Sequence, residues 1–456
     1  MHTNDLTEGN ITKKMLTYFF PLCAGNLFQK LYNAVDSVIV SRCLGQTALA
    51  AVGGSSYLVI TVLCNCFIAL FNGGSVYIAQ QFGAKDYKGL SETVHSLFIF
   101  SMICGLVLSS LGVILTGNIL TWMKTPADSF DQSLSYLRIC FIGTLFQLLY
   151  NMGAGILRAV GDSKTPFRYL VSTCILNIFL DLLFVAVFNM GVSGAAYATI
   201  ISQFICALLV LGKLWFVDEN VPYKIEASKL KMNYDSLGNI LKIGLPMAGH
   251  SVLYNITNIA IQVSVNTLGT TVVAAFAISR KIEGFFWGTM NAVNTTVTNF
   301  VGQNYGKKDY KRMYQGVWKA MKIFIATTLV FGIFLVLCGK IILPLFVGND
   351  EEVIEIAYSI LKFYGPLYWI WTINEVLIGA VRGEGKSFVS MLISIICVCV
   401  IRLGWVTIVF GMYKTLSSLL LAYPISWSAA TICMIVYYVI HYRKRKKEFG
   451  DELYAG

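Results

Sequence analysis

Between Val94 and Leu115, and again between Leu416 and Val439, the chain runs without a single Asp, Glu, Lys or Arg. About 20 apolar residues in a helix cross the roughly 30 Å hydrocarbon layer of a bilayer. Twelve segments approach or exceed that length: 14–42, 47–82, 91–115, 133–157, 167–188, 192–215, 237–267, 271–302, 314–338, 355–381, 388–411 and 416–441. Composition agrees, since 56% of residues are hydrophobic and 13% charged, against about 25% charged in an ordinary soluble domain. The fold class expected is therefore an all-α polytopic membrane protein with twelve transmembrane helices. Several segments outrun the membrane and must tilt, bend or project beyond it. The first follows "MHTNDLTEGNITKKM". It is too long and too polar for a signal-peptide core and has no small-residue cleavage site, so it reads as a retained span.

The charge that remains is sided. With an inside N-terminus and alternating crossings, most of the 35 Lys and Arg residues fall on inner segments, including Lys85, Lys88, Arg158, Lys164, Arg168, Lys307, Lys308, Lys311, Arg312 and the tail "RKRKK" at 443–447. The outer loops hold Arg42, Lys124, Lys340 and Lys414. This positive-inside bias places both termini in the cytoplasm of a cell (plasma) membrane protein. The net charge of +11 is then a topology signal and not a nucleic-acid signal. The twelve cysteines and four histidines fall in no ligand spacing, which argues for helix packing and against a metal centre or cofactor.

The chain also repeats itself. "QQFGAKDYKG" at 80–89 returns as "QNYGKKDYKR" at 303–312, "LYNAVDSVIV" at 31–40 as "LYNITNIAIQ" at 253–262, "LGQTALAAV" at 44–52 as "LGTTVVAAF" at 268–276, and "AVGDSK" at 159–164 as "VRGEGK" at 381–386. One order at one near-constant offset marks an internal repeat. Six spans per half leave both halves in the same orientation, as six-helix bundles related by a pseudo-twofold axis along the membrane normal. The expected division is an N-terminal lobe at 1–212, a cytoplasmic linker with a short surface helix at 213–238, and a C-terminal lobe with a basic tail at 239–456. The repeated "KDYK" phrase reads as a cytoplasmic turn, with Gly83 and Gly306 closing the preceding helices.

An Asp at the centre of a membrane helix costs about 2.5–3.5 kcal/mol to insert, so acids inside spans mark function. The first half has two. At about 1.5 Å per residue, Asp36 lies roughly 12 Å below the outer turn and Asp181 roughly 10 Å. Thr199 lies roughly 10 Å down, Asn177 is one turn below Asp181, and Asn33 is three residues before Asp36. Carboxylates, carboxamides and a hydroxyl converge on one level. Hard oxygen ligands suit a small cation, and two neighbouring carboxylates that repel each other favour a bound proton or Na+. Gln29 and Asn151 are candidates for a polar cavity wall or for interhelical hydrogen bonds. The second half offers Asn255 and Asn258 in place of the acid of span one. It places Arg280, Lys281 and Glu283 inside span eight, Arg402 in span eleven near the level of Asp181, and Glu375 in span ten. Glu283 and Arg402 are candidate cavity residues. Pro21 and Pro246 sit in the first span of each half and can bend it.

"LYNAVDSVIVSRCLG" in span one, "FGAKDYKG" after span two, "GILRAVGDSKTP" after span four and "FVGQNYGKKDY" after span eight, in register, resemble the multidrug and toxic compound extrusion (MATE) family. That family lies within the multidrug, oligosaccharidyl-lipid and polysaccharide exporter superfamily. The resemblance covers nearly the whole chain. It implies a secondary antiporter, not an enzyme, that exports organic cations or drugs against H+ or Na+ by alternating access. Similarity to the DinF-like branch implies Asp36, Asn177, Asp181 and Thr199 as the coupling site, with Gln29 and Asn151 lining the cavity. Ser41 departs from the usual glycine before the arginine. The asparagines of span seven stand where the NorM-like branch has an acid. The partners implied are small-molecule organic cations and the lipid bilayer, with no nucleic acid and a monomeric state. The alternative is a lipid-linked oligosaccharide flippase of the same superfamily, which often has fourteen spans and an arginine-rich cavity. A channel would need a symmetric filter, and an enzyme a clustered nucleophile–base or metal set; neither is readable.

Overall fold

Residues 5–219, 221–347 and 350–449 are described in the computed structural model of the protein. Every regular element among them is helical. In chain order the helices are α1 (Ile11–Leu44), α2 (Thr47–Ala84), α3 (Tyr87–Trp122), α4 (Ala127–Ala159), α5 (Lys164–Val187), α6 (Gly191–Trp215), α7 (Tyr234–Asn266), α8 (Thr270–Gly306) and α9 (Tyr310–Ile342). Next comes α10, made of Glu351–Tyr364 and Tyr368–Gly383 around a 3-10 turn at Gly365–Leu367, followed by α11 (Ser387–Tyr413) and α12 (Leu416–Glu448). The twelve expected spans are thus twelve helices. Eight of them are long and apolar enough to cross a membrane by composition alone. The four that fall short are α1, α7, α8 and α10. They carry Asp36, the Asn255/Asn258 pair, Arg280, Lys281, Glu283 and Glu375. Asp181 and Arg402, by contrast, lie on α5 and α11, which are apolar enough to pass despite them.

The repeated phrase forms the same device twice, and its geometry differs from the expected one. Gly83 lies inside the last turn of α2 and Gly306 ends α8. The left-handed residues that close the turns are Lys85 (φ 57°) and Lys308 (φ 62°). The next amides reach back, Asp86 N–H to the Gln81 carbonyl and Asp309 N–H to the Asn304 carbonyl, both at 3.0 Å. That 6→1 bond is the Schellman pattern, and it holds a lysine where glycine would be cheaper. Each aspartate then caps the next helix, Asp86 accepting from Gly89 N–H at 3.0 Å and Asp309 from Arg312 N–H at 2.9 Å. We expect Asp86→Ala and Asp309→Ala each to cost about 0.5–2 kcal/mol, read as a lowered thermal midpoint of the purified protein in detergent. The "LG" turns also repeat, with Gly45 at φ 86° and Gly269 at φ 100°. An L side chain is strained at that φ.

The chain divides into two compact units. Among the described residues, one holds those of Phe20–Ala248; the other holds Leu6–Phe19 and those from Gly249 on. This differs from the expected division at both ends. The stretch 213–238 and the start of α7 fold into the first unit, and the segment leading into α1 folds into the second. Hydrogen bonds give the reason. In the second unit, Leu6 N–H donates to Gln303 Oε1 at 3.0 Å, and Arg312 donates to the carbonyls of Leu6, Glu8 and Gly9. In the first, buried His95 accepts from Glu226 N–H at 3.0 Å, and Asn233 N–H donates to Ser96 Oγ at 2.9 Å. Asn10 and Asn233 match as well: each side chain accepts from the amide three residues on. The short surface helix expected in 213–238 is one 3-10 turn at Ala227–Lys229. Pro21 and Pro246 lie inside unbroken helices beside the points where α1 and α7 change unit.

In the first unit α3, α4 and α6 pack round a core that includes Leu97, Phe141, Leu148, Met152 and Val210. Small residues let the helices close up, as membrane helices require. Gly112 lies against the Phe141 ring, where no Cβ would fit.

Candidate polar site of the first half

A small apolar cluster gathers the C-terminal ends of α1 and α5 and the N-terminal end of α6. Ile39 and Val40 of α1, Val185 of α5, and Val192 and Ala195 of α6 pack together, with Ile178 and Tyr136 against them. Val40 is one turn beyond Asp36, Val185 one turn beyond Asp181, and Ala195 one turn before Thr199. Helical periodicity therefore brings the three polar residues to the rim of one cluster. Asp36 and Asp181 lie within electrostatic reach of each other, and Tyr136 and Cys140 of α4 lie within reach of Asp36. Leu182–Val187, directly after Asp181, winds as a π-helix, a distortion common at functional positions.

What distinguishes these groups is what they lack. Asp181 is fully buried and Asn177 is 2% exposed. Both oxygens of Asp181, both polar atoms of Asn177 and Oδ1 of Asp36 are buried without a hydrogen-bond partner. Buried polar groups are almost always paired, and a buried bare carboxylate is among the most costly groups to leave alone. The Thr199 hydroxyl donates to the Ala195 carbonyl at 3.0 Å, which leaves its lone pairs free to accept. The set has oxygen acceptors in surplus. It suits a proton or a small hard cation.

Beside it is a cavity of about 70 Å³ whose lining includes Gln29, Asn151, Asn177 and Thr199. Tyr32, Tyr150, Ser202 and Gln203 also face it, and the sequence reading missed them. Their helices were assigned, but single hydroxyls and amides in a span carry no sequence signal. Asn151 Nδ2 is tied to the Gln147 carbonyl at 2.8 Å. Asn33 is not among the residues of this wall; its carbonyl accepts from Ser37 Oγ at 2.9 Å. Glu283 and Arg402 belong to the other unit. A wider open cleft of about 1000 Å³ lies where the 219–233 stretch meets α3, with Lys88, Lys224 and Lys231 beside Glu92 and Glu219. Its charges are of both signs and it is remote from the two aspartates in sequence and element.

The carboxylates of the second unit behave differently. Glu283 accepts from the Tyr368 hydroxyl at 3.0 Å and faces Arg280 at 3.6 Å. Glu375 accepts from Asn294 Nδ2 at 2.8 Å. Each already has the partner that the first-half acids lack.

Twelve helices in two repeated halves, with polar groups held inside the spans, define a membrane transporter. Among the described residues no three or more His, Cys, Asp and Glu side chains cluster as metal ligands. A profile of the MatE family matches residues 21–183 and again 246–408, and the chain belongs to that family. It is 29% identical to the probable multidrug resistance protein YpnP of Bacillus subtilis (strain 168), over 99% of this chain and 100% of that one. It is 25% identical to the multidrug export protein MepA of Staphylococcus haemolyticus, over 98% and 96%. A solved MATE structure in complex with MaL6 superposes with a TM-score of 0.92 at 24% identity, covering 98% of this chain and 100% of that one. An outward-facing multidrug resistance MATE transporter gives 0.88 at 23% identity, over 97% and 98%. The expected fold, the repeat and the transporter class are all borne out.

Proposed function

We propose that the protein is an antiporter that exports drug-like organic cations in exchange for H+ or Na+, with coupling confined to the first half. Membership of the MatE family and full-length similarity to multidrug resistance and export proteins support the export reading. The single observation that carries the coupling reading is a pair of membrane-embedded carboxylates, Asp36 and Asp181, whose buried oxygens have no protein partner. An ion that drives transport must be bound in one state and released in another. In a dry pocket two carboxylates gain from a bound cation; opened to water, they release it. Asn177 and Thr199 supply neutral oxygens to the same ion. Asn255 and Asn258 of α7, standing where the NorM-like branch has an acid, support the DinF-like branch over the NorM-like one. Sidedness of Lys and Arg supports cytoplasmic termini, and the 213–238 stretch and both "KDYK" turns share that side. We take the working unit as a monomer, with one half moving against the other in the transport cycle.

The test is uptake of a fluorescent organic cation into inside-out vesicles, with a proton gradient or a sodium gradient imposed one at a time. Uptake driven by one gradient and abolished by its collapse is the expected result. Uptake indifferent to both would leave the reading without support, and movement of a lipid-linked oligosaccharide in the same vesicles would favour the flippase alternative.

A further inference from the structure

We infer that the second half holds an anion-binding site centred on Arg402, which takes a small monovalent anion or a carboxylate group. The repeat sets the frame. Asn258 of "LYNITN" stands where "LYNAVD" has Asp36, and Arg402 lies on α11, the span that matches the α5 of Asp181. Both spans carry π-helical turns here, Leu182–Val187 after Asp181 and Ile395–Val400 and Val406–Phe410 on either side of Arg402. One half thus holds acids, and the other holds a cation on the matching element.

Arg402 is fully buried. Its Nε and Nη2 both donate to one neutral acceptor, Ser426 Oγ, at 3.1 and 2.9 Å. Nη1 is buried with no partner. The guanidinium lies over the Tyr423 ring, 4.3 Å from its centroid, and 5.8 Å from that of Tyr254. The aromatic faces attract the cation but do not neutralise it. Arg280 approaches the same Tyr423 ring at 5.9 Å. Glu283, the acid beside them, is already engaged by Arg280 and Tyr368. The cluster around Tyr423 therefore holds two guanidiniums, and its one carboxylate pairs with Arg280. A second unpartnered donor lies in the same aromatic cluster: the indole N–H of Trp427 is buried without an acceptor, and its ring lies 5.8 Å from that of Tyr423. Arginine keeps its charge, and a buried charge without a counter-charge is among the most destabilising features a fold can carry. Surplus N–H donors and surplus positive charge at one place are the complement of an anion. The donor set fits chloride or a carboxylate, which share the same recognition chemistry.

The experiment uses full-length protein in detergent, dialysed into isethionate, a bulky sulfonate outside the proposed ligand classes, and titrated at constant ionic strength with chloride, bromide or benzoate. The readouts are the thermal midpoint and tryptophan fluorescence, which bromide quenches by contact. In the wild type we expect a saturable rise in midpoint with chloride and saturable quenching by bromide. Saturation with benzoate but not with halide assigns the site to a carboxylate. Arg402→Gln should weaken the apparent affinity by at least about tenfold, as loss of a charge-assisted hydrogen bond implies. Trp427→Phe, which keeps a ring and removes the second donor, should also weaken the apparent affinity, and its unchanged affinity overturns the inference where Arg402→Gln fails to fold. A wild-type response that is absent or linear for every anion overturns the inference, as does an unchanged affinity in Arg402→Gln.

Discussion

Asp181→Asn is expected to reduce gradient-driven export to the level of vesicles without the protein, with the amount of protein in the membrane unchanged. The substitution keeps the shape of the side chain and removes the charge that can bind and release a cation. Asp181 is fully buried with both oxygens unpartnered, so the amide replaces a costly charged group and the fold should gain, not lose, stability. Asp36→Asn should give the same loss, because the two carboxylates lie within electrostatic reach of each other and the proposed coupling requires both. The contrast is Glu375→Gln. That carboxylate already accepts from Asn294 at 2.8 Å, and counter-transport should persist. Vesicle counter-transport by all three variants decides the matter. Wild-type pumping by both aspartate variants, with loss in Glu375→Gln, would move coupling to the second half.

A large effect of a different kind is expected from Glu384, in the turn between α10 and α11. Its side chain is 1% exposed, and Oε2 meets His441 Nε2 at 2.8 Å, Lys386 Nζ at 3.3 Å and Arg445 Nη2 at 3.4 Å. Burial alone would raise its affinity for a proton. The hydrogen bond from His441 and the charges of Arg445 and Lys386 outweigh burial and hold the carboxyl below the usual glutamate range. Glu384→Ala would leave Arg445, itself only 7% exposed, without its counter-charge. Breaking a buried pair from one side costs about 3–5 kcal/mol, so thermal unfolding in detergent should show a large drop in midpoint. The pH dependence has a definite sign. A carboxyl with a depressed folded pKa contributes stability above its unfolded value, about 4.3, and loses it as pH falls through the folded value. The gap between wild type and Glu384→Ala should therefore be full at neutral pH and close on acidification. A constant gap would remove the carboxylate's charge from the explanation.

Much of this was readable in the sequence, because the bilayer leaves few options. Uncharged runs such as Val94–Leu115 become helices wherever they occur, and an acid such as Asp36 in a span advertises itself by its cost. The repeat was legible because its phrases keep their spacing. Chain direction and hydrogen-bond partners were not. Glycine is the usual left-handed residue, so Gly83 and Gly306 looked like helix ends; Lys85 and Lys308 take that role because carbonyls of the preceding turn hold the next amide. The bond from Leu6 to Gln303 spans 297 residues, and no periodicity reports a contact at that range. Tyr136 and Cys140 near Asp36 were missed for a related reason. Their positions on α4 are set by packing between helices, and a lone hydroxyl or thiol costs too little in a span to stand out.

The lead-in segments have a consequence for how such a chain came to be. Leu6–Phe19 folds with the second sequence half, and the stretch that precedes Gly249 folds with the first. Exchange of equivalent pieces between identical chains is the signature of a domain-swapped dimer. Here both copies lie on one polypeptide. In the second unit the exchanged piece bonds to Arg312 of the "KDYK" phrase, and in the first the matching stretch bonds to His95 and Ser96 of α3. A duplication that began as two swapped subunits would leave this pattern. It also makes selection act on the two copies together: a change in Gln303 or Arg312 must be answered near Leu6, and one in His95 or Ser96 near Glu226 and Asn233.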